Sequence, residues 1–154
     1  MSDRDAVKRR QEIKPIDGAM VRVRKLIFRN MWIKDRDAEI ARVLWNYFLA
    51  VAARWPKAWH FKQKGLVLNR TTGFRALMRF LPVAYLSLGG MDSIVPEEAF
   101  ASVFEKVKLS DEDFTPEEFV PGTGGQAKLY RTLTTHTRLD DHTVFNPTKT
   151  LANI

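Results

Sequence analysis

Apolar positions recur at helical spacing in several stretches of this chain, and polar breaks separate them. The clearest is residues 35–55. Asp35 is placed to cap a helix, and Asp37 and Glu39 fall in its first turn, where the helix dipole favours acids. Ile40, Leu44, Tyr47, Phe48, Val51 and Ala52 then recur at three and four, with Trp45 and Leu49 widening the stripe. The pattern predicts a largely buried helix stopped by Pro56. A second helix is expected to open at Thr71 or Thr72, to bury Phe74, Leu77, Met78 and Leu81, and to end at Pro82. The apolar run that follows reads as a further helical turn or a buried strand, closed by Gly89-Gly90. Pro96 fits the first position of a third helix, with Glu97 and Glu98 behind it and Ala99, Phe100, Val103, Phe104 and Val107 as its apolar face. A short turn at Thr115–Glu118 and a glycine-rich loop leading into a last helix complete the periodic part.

Elsewhere the period fails. Residues 1–18 are polar and basic and read as an arm that is extended or ordered only by contact. Met20–Phe28 alternates at first, which fits a short strand with one cationic face or the start of a helix. Residues 56–69 read as a loop with aromatic content, and the tail beyond Arg138 has no period. The expected fold is mainly α: a compact bundle of about four to five helices, with room for a minor strand and irregular termini. The expected domain limits are a basic arm over 1–18, a helical domain over 19–138 and an irregular tail over 139–154.

Composition narrows the function classes. The 154 residues are 45% hydrophobic and 28% charged, an ordinary globular balance with length for a real core. With no cysteine there is no disulfide framework, no thiol nucleophile and no zinc site built on Cys ligands. No apolar run approaches the ~20 residues of a membrane span, and the first residues lack the apolar segment of a secretory signal. A cytoplasmic protein without membrane contact is therefore expected. The net charge of +7 is unevenly distributed. Residues 56–90 carry six basic side chains and no acidic one, whereas residues 91–120 carry nine acidic and two basic. In the fold these sections either face each other or form two poles. A positive pole would attract phosphate backbone in a salt-dependent way.

Two constellations point to phosphate. Arg75 and Arg79 lie four apart on one side of the second helix, with Arg70 just before its start, and guanidinium groups hold phosphate in a bidentate way. Trp59, His60 and Phe61 are candidate stacking platforms for unpaired bases, or else core. In Gly122-Thr123-Gly124-Gly125, glycines would let backbone N–H groups converge at a helix N-terminus, with Lys128 and Arg131 following. The loop matches neither a Walker pattern nor a dinucleotide fingerprint, and close packing explains its glycines equally well. His136, Asp140, Asp141 and His142 fall within seven residues, but the spacing fits no standard zinc pattern. No metal site, cofactor or catalytic residue is expected. A nucleotide-directed enzyme using the glycine loop ranks last.

The blocks NYFLAVAARWPKAW, LVLNRTTGFRALMRFL and GTGGQAKLYRTL, in that order, resemble the C-terminal part of DGQHR-domain proteins. That family includes a regulator associated with DNA phosphorothioation gene clusters and relatives found near bacterial defence and mobile-element genes. The likeness spans roughly residues 30–135. The motif that names the family is absent: Asp17-Gly18 is followed by Ala19-Met20. The chain therefore looks like a stand-alone C-terminal module, a split gene product or a truncated descendant. The resemblance implies a mainly helical module in a DNA-linked setting, serving DNA modification or defence. Taken together, the residues lead to a non-enzymatic module that binds the phosphate backbone of nucleic acid, DNA before RNA. Its candidate site is Arg70, Arg75, Arg79, Gly124, Gly125, Lys128 and Arg131. The alternative is an assembly module that docks a protein partner or a second copy of itself.

Overall fold

The computed structural model describes residues 14–60 and 65–139. Among them the chain is helical with no strand. Seven α-helices follow in order: α1 (Gly18–Arg24), α2 (Arg29–Ile33), α3 (Asp37–Arg54), α4 (Pro56–His60), α5 (Thr71–Ser87), α6 (Glu97–Phe104) and α7 (Thr123–Thr137). A 3-10 turn at Asp111–Asp113 precedes the last. The mainly α bundle is as expected, with four long helices (α3, α5, α6, α7) and three short ones that the period did not reveal. The alternation at Met20–Phe28 resolves as the end of α1 and its link to α2. No described helix is long and apolar enough to cross a membrane.

Two helix pairs make the body. α3 packs along α6, and α5 packs along α7. Large aromatic side chains fill the space between the pairs. Tyr47 of α3 is fully buried and meets Phe100 and Phe104 of α6, while its hydroxyl donates to the Leu77 carbonyl of α5 at 2.6 Å. Trp55, at the end of α3, lies edge-on to Phe104 and Phe114 and donates its indole N–H to the Leu109 carbonyl at 2.8 Å. Phe80, Leu77, Leu81 and Ala84 of α5 close the core. Each such side chain contributes on the order of 1.5–3 kcal/mol through burial.

Several boundaries differ from the expected ones. Asp35 does not cap α3. Its φ is +58°, and it closes α2 instead: the Asp35 and Arg36 N–H groups donate back to Trp32 and Met31. This is the left-handed closure that satisfies a helix's last carbonyls. α3 then begins at Asp37, where Arg36 pairs with Glu39 one turn in. Pro56 stops α3 as expected but opens α4 rather than a loop, because proline's fixed φ suits a first helical position. Pro82 does not end α5, which runs on to Ser87. The N–H it lacks would have met the carbonyl of Met78, an exposed residue, so water can serve that carbonyl. The next residues, Val83 to Leu86, are all buried, and that burial outweighs the lost bond. Pro96 stands just before α6 rather than inside it.

The predicted apolar faces are also only half right. Trp45 is 63% exposed, Phe74 46%, Leu49 37% and Met78 36%. On α5 the buried face is instead Thr72, Gly73, Ala76, Leu77, Phe80 and Leu81, turned toward α7 and α3.

Burial has a pH consequence. Desolvation raises the Tyr47 phenol well above 10 and, acting on Tyr85, pushes that phenol up to about 12. Both folded-state values lie above that of an exposed tyrosine, so the unfolded chain ionises first. Stability is therefore fully held below pH 10 and declines as the pH rises toward 12. An alkaline titration should show phenolate absorbance from these two residues rising together with loss of helix. Ionisation of all three tyrosines near pH 10 with helicity retained would contradict the buried placement.

Candidate nucleic-acid interface

The candidate residues gather around α5 and α7, and the local chain explains how. The two helices run side by side in the same direction. Near their N-termini the Gly122 N–H donates to Thr72 Oγ1 at 3.3 Å, and about two turns further on the Arg79 guanidinium lies 4.0 Å over the ring of Tyr130. Their positive dipole ends therefore stand together, an arrangement that repels itself and favours an anion between them.

The same device builds both ends. α5 opens Thr71-Thr72-Gly73 and α7 opens Thr123-Gly124-Gly125. A Cβ on Gly73 would sit 2.1 Å from the Leu68 carbonyl oxygen, and one on Gly125 would sit 1.9 Å from that of Val120. In each helix the third residue is a glycine because the backbone five residues earlier folds back against it. Gly124 differs, since nothing lies within 4 Å of its would-be Cβ. The expected glycine loop is thus the first turn of α7, and Gly125 serves close packing rather than an anion.

Two hollows flank this meeting point. One, of about 220 Å³, is lined by Thr71, Thr72, Arg75, Pro121, Gly122, Thr123 and Gln126. It lies between the two helix N-termini with a guanidinium on its wall. The other, of about 280 Å³, is lined by Glu117, Glu118, Val120, Pro121, Gly124, Gly125 and Lys128. There the Lys128 ammonium is already paired with Glu118 at 2.7 Å. Glu117 and Glu118 make that hollow less favourable to an anion, and Lys128 and Gly125 line it rather than the hollow that holds Arg75.

The arginines fare differently. Arg70, Arg75, Arg79 and Arg131 are all exposed, and among the described residues no carboxylate pairs with any of them. Arg75 and Arg79 share one column of α5. Arg79 is steadied by Tyr130, a cation–π contact that fixes the guanidinium without neutralising it. Arg131 follows Tyr130 by one residue, about 100° further round α7 on its outer face. Arg70 stands at the entrance of α5 in extended conformation. The positive and negative sections of the sequence touch through Lys57 and Glu112, 3.7 Å apart and well exposed, a pair worth little in water. They do not neutralise each other across the arginine strip.

Of the aromatic trio, Trp59 is half-buried and stacks on Phe48, His60 is exposed, and Phe61 lies outside the described residues. Of the histidine–aspartate cluster only His136 is described. Its Nδ1 accepts the Lys108 N–H at 3.1 Å, and no metal-binding group of side chains occurs among the described residues. Sequence reasoning placed Thr71 at a helix start and Thr123 in the glycine loop, but did not join them, or Gln126, to Arg75. Their grouping has no local signal, since it arises only through the pairing of two helices fifty residues apart. No family model, curated protein or solved structure matches this chain.

Proposed function

We propose that the chain binds the phosphate backbone of nucleic acid without catalysing a reaction. The strip Arg70, Arg75, Arg79 and Arg131 carries the contact, together with the paired N-termini of α5 and α7. The observation behind this reading is a set of exposed guanidinium groups that lack described carboxylate partners, with Arg70 and Arg75 beside two co-directional helix ends and Arg79 further along the same helix pair. Such a surface reads charge and spacing rather than base edges, so sequence preference should be weak. Preference for DNA, and a setting in DNA modification or defence, rest on the resemblance to DGQHR-domain proteins.

Charge reversal tests the proposal. Arg70→Glu with Arg75→Glu should abolish binding of a labelled oligonucleotide at about 50 mM salt, while helix content and melting temperature stay near wild type, since both side chains are exposed. Undiminished binding by the double variant would contradict it.

A second reading is favoured by the outer face of α3. Ala38, Ala41, Trp45, Leu49 and Ala53 are all exposed there, interrupted only by Arg42. A helix with apolar residues on both its inner and outer sides suits docking to a protein partner or to a second copy. Light scattering separates this reading, which requires a tight oligomer indifferent to nucleic acid.

A further inference from the structure

Resting on the polyanion reading above, we infer that the nucleic acid is single-stranded and that its unpaired bases continue a ring stack ending at Phe74. Three rings from three helices lie nearly parallel. Phe48 of α3 stacks on Trp59 of α4 at 5.4 Å between centroids with an 18° interplanar angle, and on Phe74 of α5 at 5.6 Å and 12°. Trp59 and Phe48 are half-buried, whereas Phe74 is 46% exposed. The other parallel pair among the described residues, Phe114 with Phe119, is fully enclosed. The Trp59–Phe48–Phe74 series thus reaches solvent at its last member. A phenyl there for the core alone would be turned inward, as Phe80 and Phe100 are at 0% exposure.

The charge beside this stack fits the same occupant. Phe74 and Met78 form one column of α5, and Arg75 and Arg79 form the adjacent one. The Phe74 N–H bonds back to the Arg70 carbonyl, so a guanidinium-bearing residue also stands at the near end. The Asn69 amide, one residue earlier, holds the Trp59 carbonyl at 2.9 Å and ties this entrance to the stack. From residue 40 to residue 91 the chain contains no aspartate or glutamate. α5 and all but the first turn of α3 therefore present aromatic and cationic groups with no carboxylate of their own. A protein partner would need no run of arginines beside the rings, and duplex DNA hides its base faces. An unpaired strand supplies both planar faces and phosphates, and base–aromatic stacking tolerates any sequence.

The test compares fluorescence anisotropy of an oligothymidylate of about 15 nucleotides with that of a duplex of equal length, at about 50 mM salt. Charge alone favours the duplex, whose phosphates are denser, so tighter binding of the single strand marks stacking. Phe74→Ala should weaken the single strand about tenfold and leave the duplex unchanged, and Phe74→Tyr should restore wild-type affinity. Retained helicity confirms that both variants fold. Equal binding of the two probes, unaffected by Phe74→Ala, overturns this inference while leaving the polyanion reading in place. Absence of binding by either probe overturns both. Self-association lost in Phe74→Ala, with oligonucleotide binding unaffected, assigns the patch to a protein contact and likewise overturns the inference.

Discussion

Trp55→Ala is expected to destabilise the fold by about 3–5 kcal/mol, a large share of the roughly 5–15 kcal/mol that keeps a domain folded. The indole is fully buried where α3 meets α4 and where the segment after α6 crosses beneath them. It is edge-on to Phe104 and Phe114, and its N–H holds the Leu109 carbonyl. Truncation would leave a cavity between three elements that cannot all collapse into it, and would leave that carbonyl without its donor. Trp55→Phe should recover much of the packing but not the hydrogen bond, and lie between the two. Urea denaturation followed by circular dichroism measures all three. A Trp55→Ala midpoint close to wild type would show that the indole does not join these elements.

The adjacent glycines of α7 should respond with opposite signs. Gly125→Ala forces a Cβ against the Val120 carbonyl oxygen and, at 2.8 and 2.9 Å, against the Val120 and Phe119 carbonyl carbons. These are backbone atoms, so relief requires moving the start of α7 away from the turn before it. A loss of roughly 1–3 kcal/mol is expected, the range for overpacking a closed site. Gly124→Ala meets open space within a helical turn and should gain about 0.5–1 kcal/mol through helix propensity. Thermal melts of the two variants side by side check the prediction. Equal shifts of the same sign would remove the close approach on which the geometry of the α5–α7 junction depends.

What was legible in the sequence follows from the range of the forces involved. The period of three and four over residues 40–52 places α3 correctly, and the threonines before Gly73 mark the start of α5. Local punctuation was less dependable. Pro82 reads as a stop, yet α5 continues because Val83, Ala84, Tyr85 and Leu86 are all needed in the core. Asp35 reads as a cap, yet it ends the previous helix in a left-handed turn. The short helices α1, α2 and α4 have too few turns for a stripe to show. Phase along a helix does not reveal which side meets a neighbour, so Phe74 and Met78 were assigned to the core although they face outward. At the candidate site, the grouping of Arg75 and Arg79 follows from helix geometry alone. The neutralisation of Lys128 by Glu118 and the steadying of Arg79 by Tyr130 do not, because each joins parts of the chain brought together only by the fold.

The dependence of oligonucleotide affinity on salt is the most direct measurement of the proposed site. Three to four phosphate contacts give a log–log slope of about −2 to −4 for the wild-type chain, and replacing Arg70 and Arg75 with alanine should flatten it by about 2. A slope unchanged by those two substitutions, or no association even in dilute buffer, would contradict the account.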